Sequence, residues 1–179
     1  MHTNQPRERR TLDDLFRVVG QCPADLRAWA EAEGYANLKD HIETAAVISA
    51  QAAITLTLLL AGLGGALAFA VKIFEPGAGP VAWAAAALCA HLAVLAGVLV
   101  ARNLNLVEAP MLHNQPYSLL HPDATLDQLR MGELINLEAR IRAQQGLNDL
   151  RACSLNLVRR AAIASPAVFA AGALLAGRL

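Results

Sequence analysis

From Thr44 to Val71 the chain contains no Asp, Glu, Lys, Arg or His, and from Val81 to Ala101 it contains only His91. The connection between them, Lys72-Ile-Phe-Glu-Pro-Gly-Ala-Gly-Pro80, is short. An apolar helix needs about 20 residues, rising about 1.5 Å each, to cross a hydrocarbon core about 30 Å thick. Both segments reach that length, and core helices of a small soluble domain are rarely so uniformly apolar. The pair predicts a transmembrane hairpin. The expected fold class is all-α: an integral membrane protein with this hairpin, a third C-terminal span and cytoplasmic amphipathic helices.

The 179 residues carry 15 Lys and Arg against 15 Asp and Glu, so net charge says nothing, but charge placement does. Arg7, Arg9, Arg10, Arg17, Arg27 and Lys39 precede the hairpin. Arg102, Arg130, Arg140, Arg142, Arg151, Arg159 and Arg160 follow it. Positively charged flanks stay in the cytoplasm. The N-terminus and residues 102–160 are therefore expected on the cytoplasmic side, with the turn outside. The first forty residues show no apolar signal-peptide core, so Thr44–Val71 is expected to act as an internal signal anchor. Cys22, Cys89 and Cys153 lack paired spacing and read as reduced thiols.

Four regions follow: cytoplasmic N-terminal helices at 1–43, the hairpin at 44–101, a cytoplasmic loop and long helix at 102–160, and a third membrane segment with its tail at 161–179. Residues 1–10 read as a disordered basic start. Thr11-Leu-Asp-Asp14 and Thr125-Leu-Asp-Gln128 are capping boxes, in which a hydroxyl and a side-chain oxygen three residues on satisfy free amide donors. The first opens a helix that stops at Gly20. A second begins at Pro23 and breaks at Gly34. Trp29 and Tyr35 suit either the headgroup region or a small cytoplasmic core.

Arg102 is expected to end the second span. Pro110, Pro116 and Pro122 then mark a loop over 103–124. The long helix after Thr125 offers Leu126, Leu129, Leu134, Leu137, Ile141, Leu147, Leu150 and Leu157 as candidate buried positions, with a bend possible at Gly146. Ala161–Gly177 is a third apolar run, interrupted by Ser165-Pro166. It reads as a third span, with a re-entrant or interfacial segment as the alternative.

Ala61, Gly62 and Gly65 on the first span, and Gly172 and Ala176 on the third, form small-residue faces that permit close helix approach in lipid. Two readings stand: self-association into a homo-oligomer, or packing within one chain. His91 is the one titratable imidazole within a span and reads either as a functional group on an aqueous path or as a structural donor to a hydroxyl such as Thr55 or Thr57. Arg130, Arg140, Arg142 and Arg151 on the long helix suit a phosphate-bearing ligand. Topology, lipid headgroups and pairs with Glu133, Glu138 and Asp149 would use the same charges. His113, His121 and Asp123 match no zinc spacing. No catalytic triad, metal cluster or phosphate loop is evident, so no enzyme, cofactor, metal or nucleic-acid partner is expected.

The entry into the first span, His41-Ile-Glu-Thr-Ala-Ala46, and the helix Leu134-Ile-Asn-Leu-Glu-Ala-Arg-Ile-Arg142 leading to Arg159-Arg160 and the last apolar run carry a resemblance. In this order of elements the chain resembles the small transmembrane effectors of bacterial cyclic-pyrimidine-nucleotide (Pycsar) antiphage systems. Glu43, Thr44 and Ala46 match that family's acidic-Thr-Lys-Ala entry step, and Ala45 stands where the Lys would be. The resemblance implies residence in the bacterial inner membrane and a functional link to a nucleotide cyclase. It also implies a cyclic CMP or cyclic UMP ligand and loss of membrane integrity on signalling. The alternatives are a holin-like constitutive pore protein, or a membrane scaffold that binds a partner through its cytoplasmic helix.

Overall fold

The computed structural model describes residues 12–73, 79–105 and 124–178. Among them there is no strand. The helices are α1 (Leu12–Gln21), α2 (Ala24–Ile73), α3 (Pro80–Leu99), α4 (Leu126–Ile163) and α5 (Ser165–Ala176), with a π-helical turn at Val100–Leu104 closing α3. The chain divides into two compact units, one within Met1–Glu43 and Ala109–Gly146, the other within Thr44–Glu108 and Leu147–Leu179. The all-α class is as expected, with two helices long and apolar enough to cross a membrane, or three if the bent pair α4 and α5 forms one span. Thr11 of the first capping box, residues 74–78 of the hairpin turn and most of the 103–124 loop, with His113, His121 and Asp123, lie outside the described residues.

In the first unit α1 ends one residue past the Gly20 stop. The expected break at Gly34 does not occur, because α2 runs unbroken through it. Gly34 instead marks a close crossing: a Cβ there would lie 2.6 Å from Leu137 Cδ2 on α4. Leu137 is itself buried at 1 % exposure, and Leu38 and Ile135 of the same unit are buried as well. The packing gained at the crossing outweighs the weak helix propensity of glycine. At the head of α4 the Thr125 box forms in full. Gln128 N–H donates to Thr125 Oγ1 at 3.3 Å, while Thr125 N–H donates to Gln128 Oε1 at 2.9 Å.

The second unit has an apolar exterior. Its core is Ala52, Leu59, Leu92, Leu95, Ala96, Leu99, Leu155 and Val158. Leu58, Val71, Val94, Leu174 and Leu175 all point outward. In α3 the buried positions near the start are alanines, Ala82, Ala84 and Ala85, while Trp83 is outside. Alanines inward and large side chains outward at this end of α3 suit a bundle solvated by lipid, where close backbone approach drives packing. Gly172 on α5 shows that approach: a Cβ there would meet Ala84 Cα at 3.0 Å and Ala87 Cβ at 3.2 Å.

α4 is continuous through Gly146 to Ile163. One expectation for it needs correction: Leu126, Leu150 and Leu157 are exposed, not buried. The buried row of α4 runs Glu133, Leu137, Gln144, Asn148, Leu155. Those positions are alternately four and seven residues apart, as a helix stripe should be. Three of them are polar, so a search for apolar periodicity finds the wrong phase. The Ser165-Pro166 interruption is real: α4 and α5 meet at a 47° bend. Proline has no N–H to offer the preceding turn.

Candidate functional site

Three of the four predicted phosphate-binding arginines, Arg130, Arg140 and Arg142, are paired with carboxylates within the first unit. Arg130 Nε lies 3.9 Å from Glu31 Oε2, and Arg142 Nε donates to Glu138 Oε1 at 2.7 Å. Arg140 donates to Glu133, which is buried and also accepts from Tyr35 Oη at 2.9 Å. Burial first, and then the hydrogen bond to Glu133, hold the Tyr35 hydroxyl above the ordinary phenol range. Tyr35 thus belongs to a small extramembrane core, while Trp29 is exposed. Arg27 meets Asp127 through two parallel contacts, Nη2 to Oδ1 at 2.8 Å and Nη1 to Oδ2 at 3.1 Å. The crevice between these pairs, lined by Arg27, Glu31, Asp127 and Arg130, holds about 30 Å³, the scale of a water molecule and far below a nucleotide.

The first unit's charges also favour its own carboxylates. Among its described residues, Asp13, Asp14, Asp25, Glu31, Glu33, Asp40, Glu43, Asp127, Glu133 and Glu138 stand against Arg17, Arg27, Lys39, Arg130, Arg140 and Arg142. The second unit is the reverse. Asp149 is its single described carboxylate, against Lys72, Arg102, Arg151, Arg159, Arg160 and Arg178. Among the described residues the excess of positive charge therefore lies in the second unit. Of the predicted arginines only Arg151 lies there.

The polar contacts of the second unit form around α4 and its junction with α5. Arg159 Nε donates to Thr55 Oγ1 at 3.2 Å, and Arg159 Nη2 donates to Gln51 Oε1 at 2.6 Å. Thr55 Oγ1 in turn donates to the Gln51 carbonyl at 2.8 Å. Arg159 has no carboxylate partner among the described residues. His91 Nε2 lies 3.2 Å from the Ala161 carbonyl. The ring bonds the last turn of α4, not Thr55 or Thr57, so it is a structural contact with a different partner from the one expected. That carbonyl is accessible because the helix breaks just beyond it: Ala164 N–H reaches back to it in a tighter turn at 3.1 Å. At the other end of α3 the π-helical turn brings Asn103 inward, and its Nδ2 donates to the Arg151 carbonyl at 2.7 Å. The sequence reading places 103 in a loop. A π-helical turn has no compositional signature, and Asn103 shows itself only through its burial.

Beside Arg159 an open groove of about 470 Å³ is lined by Ile54, Leu58, Leu59, Leu92, Ala162 and Ile163, with Thr55, Arg159 and Ser165 as its polar members. Sequence reasoning treats Arg159 only as the close of a cytoplasmic helix. The missed signal is the pairing of Gln51 and Thr55, one helical turn apart in an otherwise apolar span, which supplies a seat for a cation.

The two small-residue faces have different fates. Gly172 is taken up by α3, and Ala176 is half-buried. Gly62 would make ordinary contact with Leu92, while Gly65 has open space and Ala61 is exposed. The third-segment face therefore packs within the chain, and most of the first-span face remains outward. Cys22, Cys89 and Cys153 are free thiols. No group of His, Cys, Asp or Glu among the described residues could hold a metal ion. No family model matches the chain, and neither does any curated protein or solved structure.

Proposed function

We propose that this chain is an inner-membrane effector of a bacterial antiphage system. It responds to a cyclic pyrimidine nucleotide made by a separate cyclase and then impairs membrane integrity, with its N-terminus in the cytoplasm. The observation that carries the membrane part is the second unit's apolar exterior around helices of membrane length. The defence role rests on the resemblance in element order and in Glu43, Thr44 and Ala46.

An effector must have an element that can change arrangement, since a ligand shifts only equilibria in which it binds the two states differently. The α4–α5 junction supports this role. It is a proline break, with the Ala161 carbonyl bonded by His91 before it and α5 packed along α3 through Gly172 after it. Both α2 and α4 contribute residues to each unit, so a signal received in one has a covalent route to the other. In the first unit a nucleotide phosphate competes with Glu31, Glu133 and Glu138 for Arg130, Arg140 and Arg142. Exchange of those pairs upon binding is the proposed trigger. The outward face at Ala61 and Gly65 is available for contact between copies in a homo-oligomer.

The test is membrane potential in cells expressing the chain, read by a voltage-sensitive dye with and without cyclic CMP or cyclic UMP production. Depolarisation is expected only with the nucleotide. Depolarisation on expression alone would establish the holin-like alternative, and a quiet membrane in both conditions would remove the effector reading.

A further inference from the structure

We infer that the groove beside Arg159 is a binding site for an anionic phospholipid, with the phosphate on the guanidinium and the first part of an acyl chain along Leu58, Leu92 and Ile163. The inference is independent of nucleotide signalling and rests on depth, charge and shape.

Depth comes from the helices themselves. At about 1.5 Å per residue, Thr55 lies about 26 Å along α2 from Lys72. By the same rise Arg159 lies about 27 Å along α4 and α5 from Gly177. Gly177 adjoins Pro80, so the start of α3 and the end of α5 lie at the same end of the bundle. The hydrocarbon core is about 30 Å thick. Arg159 is therefore at one face of it, where phosphates are, while the groove extends past Ala162 and Ile163 toward the interior.

Charge identifies the headgroup. A guanidinium offers five N–H donors in a planar fork. Nε and Nη2 are held by Thr55 and Gln51, which orients the group while leaving Nη1 without a partner among the described residues. Thr55 and Gln51 are neutral, so the positive charge is positioned but not neutralised. A phosphate oxygen completes it through charge-assisted hydrogen bonds. Among the described residues that line the groove there is no carboxylate to receive the ammonium of a zwitterionic headgroup, which favours phosphatidylglycerol over phosphatidylethanolamine. Ser165 also lines the groove, with its Oγ buried beneath the surface and without a hydrogen-bond partner among the described residues. A groove otherwise walled by aliphatic side chains suits an acyl chain and not a free nucleotide.

The experiment uses the full chain in detergent, exchanged into mixtures of phosphatidylglycerol and phosphatidylethanolamine, with retained lipid counted by native mass spectrometry. Inorganic phosphate is added as a competitor. The wild type is expected to retain phosphatidylglycerol at least about tenfold better, the scale of a hydrogen bond to a charged group, and to be indifferent to millimolar phosphate. Arg159→Gln should erase the preference. Leu58→Trp, which fills the groove and keeps the charge, should lower retention of both lipids. Arg178→Gln, at the opposite end, should change nothing. Equal retention of the two lipids by the wild type, an unchanged preference in Arg159→Gln, or displacement by inorganic phosphate would each overturn the assignment. So would disulfide-linked dimers formed through Leu58→Cys, since a second copy would then occupy the groove.

Discussion

Gly34 and Gly172 each sit where a neighbour needs the space of a missing Cβ, so ordinary helix-propensity logic reverses there. Replacing an exposed helical glycine with alanine gains about 1 kcal/mol. At Gly34 the new methyl would meet buried Leu137, and overpacking of that kind costs about 1–3 kcal/mol. Gly34→Ala should therefore destabilise the first unit. Leu137→Ala should cost less in the Gly34→Ala background than in wild type, where such truncations cost about 2–5 kcal/mol. Hydrogen exchange of the four members of that cycle reads the coupling, and additive costs would refute the crossing. Gly64→Ala, which has open space, should by contrast be neutral or stabilising. Tyr35 gives a pH test. Its folded-state pKa is raised, so the folded state holds the phenolic proton more tightly than the unfolded chain does. The associated stability is complete below about pH 10, the free phenol value, and is lost as pH rises through the higher folded value. Alkaline unfolding of wild type should show this fall, and Tyr35→Phe should remove it.

Among the elements, α4 was the most legible at its ends and the least in its middle. Its cap is local, since Thr125 and Gln128 satisfy each other within one turn, and the motif alone states that. Thr125→Ala should cost about 1 kcal/mol, visible as faster amide exchange confined to the first turn of α4. The break at Pro166 is equally local. Pro166→Ala restores an N–H able to reach the Ala162 carbonyl, so α4 and α5 should merge and the 47° bend should relax. Electron-spin distances between labels at positions 156 and 174, in a background lacking the three native cysteines, should lengthen. An unchanged distance would show that the His91 and Gly172 contacts hold the bend without the proline. The middle of α4 was misread because its buried row includes Glu133, Gln144 and Asn148. Glu133 is buried against Tyr35 of α2 as well as Arg140 two turns along its own helix, and the first of these no window of local sequence contains.

For the whole molecule, the exposed aliphatic surface of the second unit predicts that the chain stays monodisperse only in detergent or lipid. Sedimentation in plain buffer and in detergent checks this. In sealed vesicles Cys22 and Cys153 should share one side. Labelling them with an impermeant maleimide tests the orientation expected from the arginines. Membrane class, helix content, the cap at Thr125 and the break at Pro166 were determined by sequence alone, because each depends on the hydropathy or hydrogen-bonding capacity of a contiguous stretch. The candidate site was not. Which glycines are pressed by a neighbour, where Asn103 points and what surrounds Arg159 were decided by the tertiary structure. Arg140 and Arg142 find Glu133 and Glu138 along their own helix, where the spacing already offers them, whereas Arg159 is met by Gln51 and Thr55 of α2, which only the packing of one helix on another brings to it.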